Sequence, residues 1–117
     1  EDKTFPKQNS LLQNGTHQLI SEKEFVAKIL AAKEAKQDKN FVVIARIEAL
    51  ISGLGMQEAL KRADAYEKAG ADAILIHSKQ KNPAGRVLGW ARLRFRHNLT
   101  MIQCVAACKP LRDSRLM

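Results

Sequence analysis

The chain has 117 residues, 45% of them hydrophobic and 27% charged, with a formal net charge of +8. That length supports one small domain with a modest core, and its apolar runs fall far short of the roughly 20 residues of a membrane span, so a soluble, cytoplasmic setting with no membrane partner is expected. The charge is lopsided: 13 Lys+Arg oppose 11 Asp+Glu over residues 1–81, whereas 7 oppose 1 over residues 82–117. The basicity therefore belongs to the tail and does not mark the whole chain as a nucleic-acid binder.

The chain opens on Glu1-Asp2-Lys3-Thr4-Phe5-Pro6-Lys7-Gln8-Asn9-Ser10, where two acids, two lysines and an asparagine crowd around one Phe-Pro. Because it starts at Glu1 rather than Met, on residues that suit the end of a buried strand, it is expected to be a fragment. Ser21-Glu22-Lys23-Glu24 is a capping-box pattern and predicts a helix. Phe25, Ile29 and Ala32, flanked by Val26 and Leu30, recur at helical spacing, and the helix should end near Gln37 to Asn40. Phe41 to Ile47 is a nearly unbroken apolar run rich in β-branched residues, which predicts a strand buried on both faces as in a parallel sheet. Gly53 and Gly55 break the chain; Met56 to Ala69 predicts a second amphipathic helix closed by Gly70 as a left-handed cap. Ala73 to Ile76 is a second short strand that finishes on His77. Strand, helix, strand over this span is a βαβ unit, so the fold class is α/β with parallel strands.

In such folds chemistry gathers at the carboxyl ends of strands, and Glu1, Arg46, Glu48 and His77 all occupy such ends. Each has a plain alternative. Arg46 and Glu48 are two apart, point to the same side, and could simply neutralise one another. Against that, a planar, permanently charged fork suits a carboxylate or phosphate, and Glu48 then serves to orient Arg46. His77 could be a satisfied core imidazole, and Lys7 and Asn9 could be solvated loop residues. Helix charges such as Lys33, Glu34, Lys61 and Glu67 are assigned to a solvated face, and His17 is given no partner.

The opening motif, the block Phe41 to Leu50 and the block Gly70 to Lys79 together resemble the phosphoenolpyruvate mutase family of the isocitrate lyase superfamily, over residues 1 to about 81. The resemblance implies a partial (β/α)8 TIM barrel, about strands 4 to 6 with their helices, where a full barrel takes roughly 250 residues. It implies an isomerase that interconverts phosphoenolpyruvate and phosphonopyruvate in phosphonate biosynthesis, with Mg²⁺ as cofactor and a small-molecule substrate. The full-length protein is expected to be a homo-oligomer and this fragment alone to be inactive. By the same resemblance Glu1 helps hold Mg²⁺, Lys7 and Asn9 close over the substrate, Arg46 and His77 contact its phosphoryl and carboxylate groups, Ser10 joins the substrate-binding set and Glu48 supports it. Asn9 looks like the mutase, where the related phosphonopyruvate hydrolase usually carries Thr; that hydrolase is the alternative. Isocitrate and methylisocitrate lyases carry a Lys-Arg-Cys-Gly motif in this loop, which Lys7-Gln8-Asn9-Ser10 lacks.

Residues 82–117 do not continue the resemblance. Arg92, Arg94 and Arg96 alternate with Leu93 and Phe95 after Trp90, and an apolar stretch follows from Met101 to Cys108. Cys104 and Cys108 have no further ligands to complete a metal set. Either the tail is a product of a shifted reading frame near Lys81 to Arg86, or it is a real basic module whose arginines contact phosphates. The second reading makes the chain a non-catalytic α/β piece with a nucleic-acid-binding tail; without a recognised motif, nucleic acid is not the expected partner.

Overall fold

The structure, a computed structural model, describes residues 1–10, 12 and 17–79 in full and residues 100–105 by their backbone. The arginine-rich stretch and Cys108 lie outside the described residues, as does the side chain of Cys104. The elements run α1 (Glu22–Ala35), β1 (Ile44–Ile47), α2 (Gly55–Lys68), β2 (Ala73–Ser78) and β3 (Thr100–Val105). The three strands form one sheet in the order β1-β2-β3, every pairing parallel, with Ile47 opposite Ile76 and His77 opposite Cys104.

Helix α1 starts where its capping box predicts. The Ser21 hydroxyl accepts the Glu24 amide at 3.1 Å, a contact that contributes about 1 kcal/mol. Phe25 and Ile29 are its buried residues. Ala32 and Leu30, expected on the same stripe, are exposed. The Phe25 ring meets Tyr66 of α2 edge-on at 4.7 Å. Ala45 and Ile47 from β1, Ile74 and Ile76 from β2, and Ala59, Ala63 and Tyr66 from α2 complete that core, each large side chain contributing about 1.5–3 kcal/mol by leaving water.

Strand β1 is shorter than the apolar run predicts. Phe41 and Val42 are exposed, and the Phe41 amide closes a turn onto the Asp38 carbonyl at 3.0 Å instead of entering the ladder. The Val43 amide is then taken by the Asp72 carboxylate at 2.9 Å, so the ladder begins one residue later. Lys33 anchors the same carboxylate at 2.7 Å and holds Asp72 below the usual carboxylate range. It is therefore not the freely solvated lysine that its helix position suggests.

The end of α2 follows the predicted glycine cap. The Gly70 amide donates to Glu67 and the Ala71 amide to Tyr66, with Gly70 at φ +96°, which is the Schellman arrangement. A Cβ at Gly70 meets only the Lys33 side chain, at 3.7 Å, so the cost of Gly70→Ala is backbone strain rather than a clash. That cost is expected to be about 1–2 kcal/mol, read as a lower urea midpoint at constant slope. An unchanged midpoint would show that the turn tolerates a side chain.

Candidate active site

The sheet turns two different faces outward. Ala45 and Ile47 point at the helices, so period-2 alternation places Arg46 on the opposite face, with Glu48 following it. The β1–β2 register ends at Ile47 opposite Ile76; one step further it sets Glu48 beside His77. The opening segment runs alongside, since the Asp2 amide donates to the Arg46 carbonyl at 3.2 Å and Lys3 bridges to Leu19. Glu1 to Lys3 thus lie beside the carboxyl end of β1.

Around these ends lies an open pocket of ≈ 290 Å³, lined by Glu1, Lys3, Gln8, Asn9, Ser10, Arg46 and His77. Its organiser is Glu48, whose side chain is 0% exposed. One carboxylate oxygen accepts from Arg46 Nε and from His77 Nδ1, the latter at 2.8 Å. The other accepts from the Ser10 hydroxyl at 2.7 Å and lies 3.6 Å from Lys3 Nζ. Burial alone would raise the Glu48 pKa, but the hydrogen bonds from Ser10, His77 and Arg46 outweigh it and hold the group below its ordinary value.

His77 Nδ1 also lies 2.7 Å from Arg46 Nη2. That nitrogen serves one neighbour at a time: with its proton it donates to Glu48, and bare it accepts from Arg46. An ionised Glu48, which can only accept, favours the first arrangement and leaves Nε2 as the second functional nitrogen of the ring.

Arg46 has a further carboxylate, Glu1, at 3.4 Å. Lys7 pairs with Glu1 at 3.5 Å but is exposed and stands outside the pocket lining. The expected set therefore comes together in large part: Glu1, Asn9, Ser10, Arg46 and His77 share one wall, Glu48 ties Ser10, Arg46 and His77 together, and Lys7 reaches the wall through Glu1. His17, left unpartnered on sequence, meets the Leu12 carbonyl at 3.0 Å.

Lys3 is the residue that the sequence did not disclose. It is 4% exposed, and its ammonium donates to the Gln8 carbonyl at 2.7 Å and to Ser10 Oγ. A lysine is seldom buried without a partner, and here it fastens the loop that carries Asn9 to the Glu48 centre. Its signal lay in a lysine next to two acids at the carboxyl end of a strand, a position with no room for an unpaired charge.

For a divalent cation the described residues offer Glu1 as the carboxylate facing the pocket, and no cluster of three acidic, His or Cys side chains occurs among them. Magnesium binds through one or two carboxylates with water and substrate oxygens. Glu1 fits that contributory part, and the remaining ligands would come from outside this wall.

Parallel strands whose carboxyl ends carry a polar pocket ordered by a buried carboxylate define a segment of an α/β fold with its candidate site at the strand ends. A sequence model of phosphoenolpyruvate phosphomutase matches residues 1–103, and the chain belongs to that family. It is 63% identical over 83 residues to a phosphonopyruvate hydrolase from Variovorax sp., covering 71% of this chain and 29% of that protein. To a phosphoenolpyruvate phosphomutase from Tetrahymena pyriformis it is 61% identical over 84 residues, covering 72% and 28%. Among solved structures, phosphoenolpyruvate phosphomutase from Streptomyces platensis subsp. rosaceus superposes with a TM-score of 0.77 at 47% identity, over 87% of this chain and 34% of that one. A phosphonopyruvate hydrolase solved with oxalate and Mg²⁺ superposes with a TM-score of 0.69 at 49% identity, over 87% and 33%. The chain thus spans under a third of the length of these two curated relatives.

Proposed function

We propose that this chain forms one wall of the active site of a phosphoenolpyruvate mutase, as the fourth to sixth strands of a (β/α)8 barrel. The observation that carries this reading is the convergence of Arg46, His77, Lys3 and the Asn9 loop on one pocket around Glu48. Moving a phosphoryl group between the oxygen and the carbon of one molecule passes through a loose, highly anionic transition state. The planar Arg46 fork, aligned by Glu48, suits the phosphoryl or carboxylate oxygens, and His77, with Nδ1 committed to Glu48, leaves Nε2 for the pocket.

Magnesium, when bound, would neutralise phosphoryl charge, with Glu1 as this wall's ligand. Asn9 lines the pocket and Lys7 lies two residues before it; closure of this segment would exclude water that otherwise captures the phosphoryl group. Asn9, rather than Thr, favours mutase over hydrolase. The hydrolase is the second reading, supported by the 63% identity to the Variovorax protein.

The full-length protein, given phosphonopyruvate and Mg²⁺ and followed by phosphorus NMR, is expected to build up the phosphoenolpyruvate resonance. Inorganic phosphate with pyruvate as the sole products would replace the mutase reading by the hydrolase one. In the same assay Asn9→Ala is expected to lower phosphoenolpyruvate formation about 10²-fold, the typical effect of removing one directed polar contact to the reacting group. Unchanged turnover would take Asn9 out of the site.

A further inference from the structure

Behind the pocket, on the helix side, lies a second polar cluster that contacts no pocket space. Asp2 is 0% and Tyr66 0% exposed, and Arg62 on α2 is 6% exposed. One Asp2 oxygen accepts the Glu48 amide at 2.9 Å; the other accepts from Arg62 Nη1 at 3.0 Å and from the Tyr66 hydroxyl at 2.8 Å. Arg62 Nη1 also reaches Tyr66 Oη at 3.1 Å and the Ile20 carbonyl at 3.0 Å, while its Nε holds Glu58 at 3.0 Å. The ring of contacts among Asp2, Arg62 and Tyr66 is closed.

We infer that Asp2, Arg62 and Tyr66 form a positioning device that fixes the backbone of Glu48, and through its carboxylate the orientation of Arg46 and His77. Strand β1 ends at Ile47, so the Glu48 amide is past the end of the strand and Asp2 supplies its acceptor. The residue whose amide donates this hydrogen bond also carries the carboxylate on which Arg46, His77 and Ser10 converge. An apolar trio of the same volume would fill this space at no desolvation cost; only polar groups with fixed donor directions set an amide in one place. The device spans the molecule from α2 to the pocket, so the helix face that packs the core also aligns the site.

This inference deepens the proposed function, in that the site it positions is the mutase site, and its test has a readout that does not need turnover. In the full-length protein, with nitrogen-15 histidine, the His77 ring resonances are assigned by their loss in His77→Asn. Tyr66→Phe removes one donor to Asp2 without changing volume, and Asp2→Asn removes the charge that holds Arg62.

Both variants are expected to shift the His77 Nδ1 resonance and to lower kcat/KM roughly tenfold, as displacement of a reacting group by a fraction of an ångström does. A merely structural role would lower the melting temperature and leave both readouts at wild-type values, and that result overturns the inference; Tyr66→Phe decides if Asp2→Asn does not fold. Should the wild-type protein turn over no phosphonopyruvate, the mutase reading fails, and the His77 resonance alone decides the positioning role.

Discussion

Arg46→Lys in the full-length protein is expected to lower phosphonopyruvate turnover by about 10²–10³-fold, the scale seen when one preorganised donor is withdrawn from a developing charge. Lysine keeps the charge but loses the planar fork, and it is the fork that the structure uses. Nε is occupied by Glu48 and faces Glu1 at 3.4 Å, while Nη2 faces Ser10 at 3.3 Å and His77 at 2.7 Å. An ammonium cannot hold that many directions in one plane. Steady-state kinetics checks this, and a loss below threefold would mean that the positive charge at position 46 suffices and the fork is not used.

Glu48→Gln tests the other half of the pair and is expected to destabilise the fold as well as silence the site. Removing the charge leaves the Arg46 and Lys3 cations facing a neutral amide in a buried setting, and breaking a buried pair from one side costs about 3–5 kcal/mol. The Glu48 pKa is held below its ordinary value of 4.5. Its ionised form thus contributes stability above the unfolded value, and that contribution is lost as pH falls through the lower folded value. Urea unfolding should therefore show a wide gap between wild type and Glu48→Gln at neutral pH that closes only at pH below 4.5. A gap that does not change with pH would mean that the carboxylate's charge contributes nothing.

Much of this architecture is visible in the residues themselves. Ser21 and Gly70 mark helix ends by mechanisms that act within a few residues, so α1 begins and α2 ends where the chain announces. Arg46, Glu48 and His77 are legible because a charged or titratable side chain at the end of an apolar strand has no solvated alternative. Arg46 pairs with Glu48 and also lines the pocket, so the pairing does not take it out of the candidate site.

Other features depend on contacts between residues far apart in the chain. The start of β1 is set by Asp72, 29 residues from Val43. Arg62 looks like any helix arginine until its turn of α2 is seen beneath Asp2, 60 residues away. Its one local sign is that it shares a stripe with Ala59, Ala63 and Tyr66, all buried, a place where a solvated arginine would not stand.

The carboxylate at the centre of the pocket also fixes a charge balance. Lys3, Lys7 and Arg46 stand against Glu1 and Glu48, so apart from the imidazole this wall has one positive charge in excess. A substrate that joins a carboxylate to a fully ionised phosphoryl group brings about three negative charges. On the mutase reading proposed above, such an anion exceeds the positive charge of this wall, and a divalent cation together with the walls outside this segment would supply the rest.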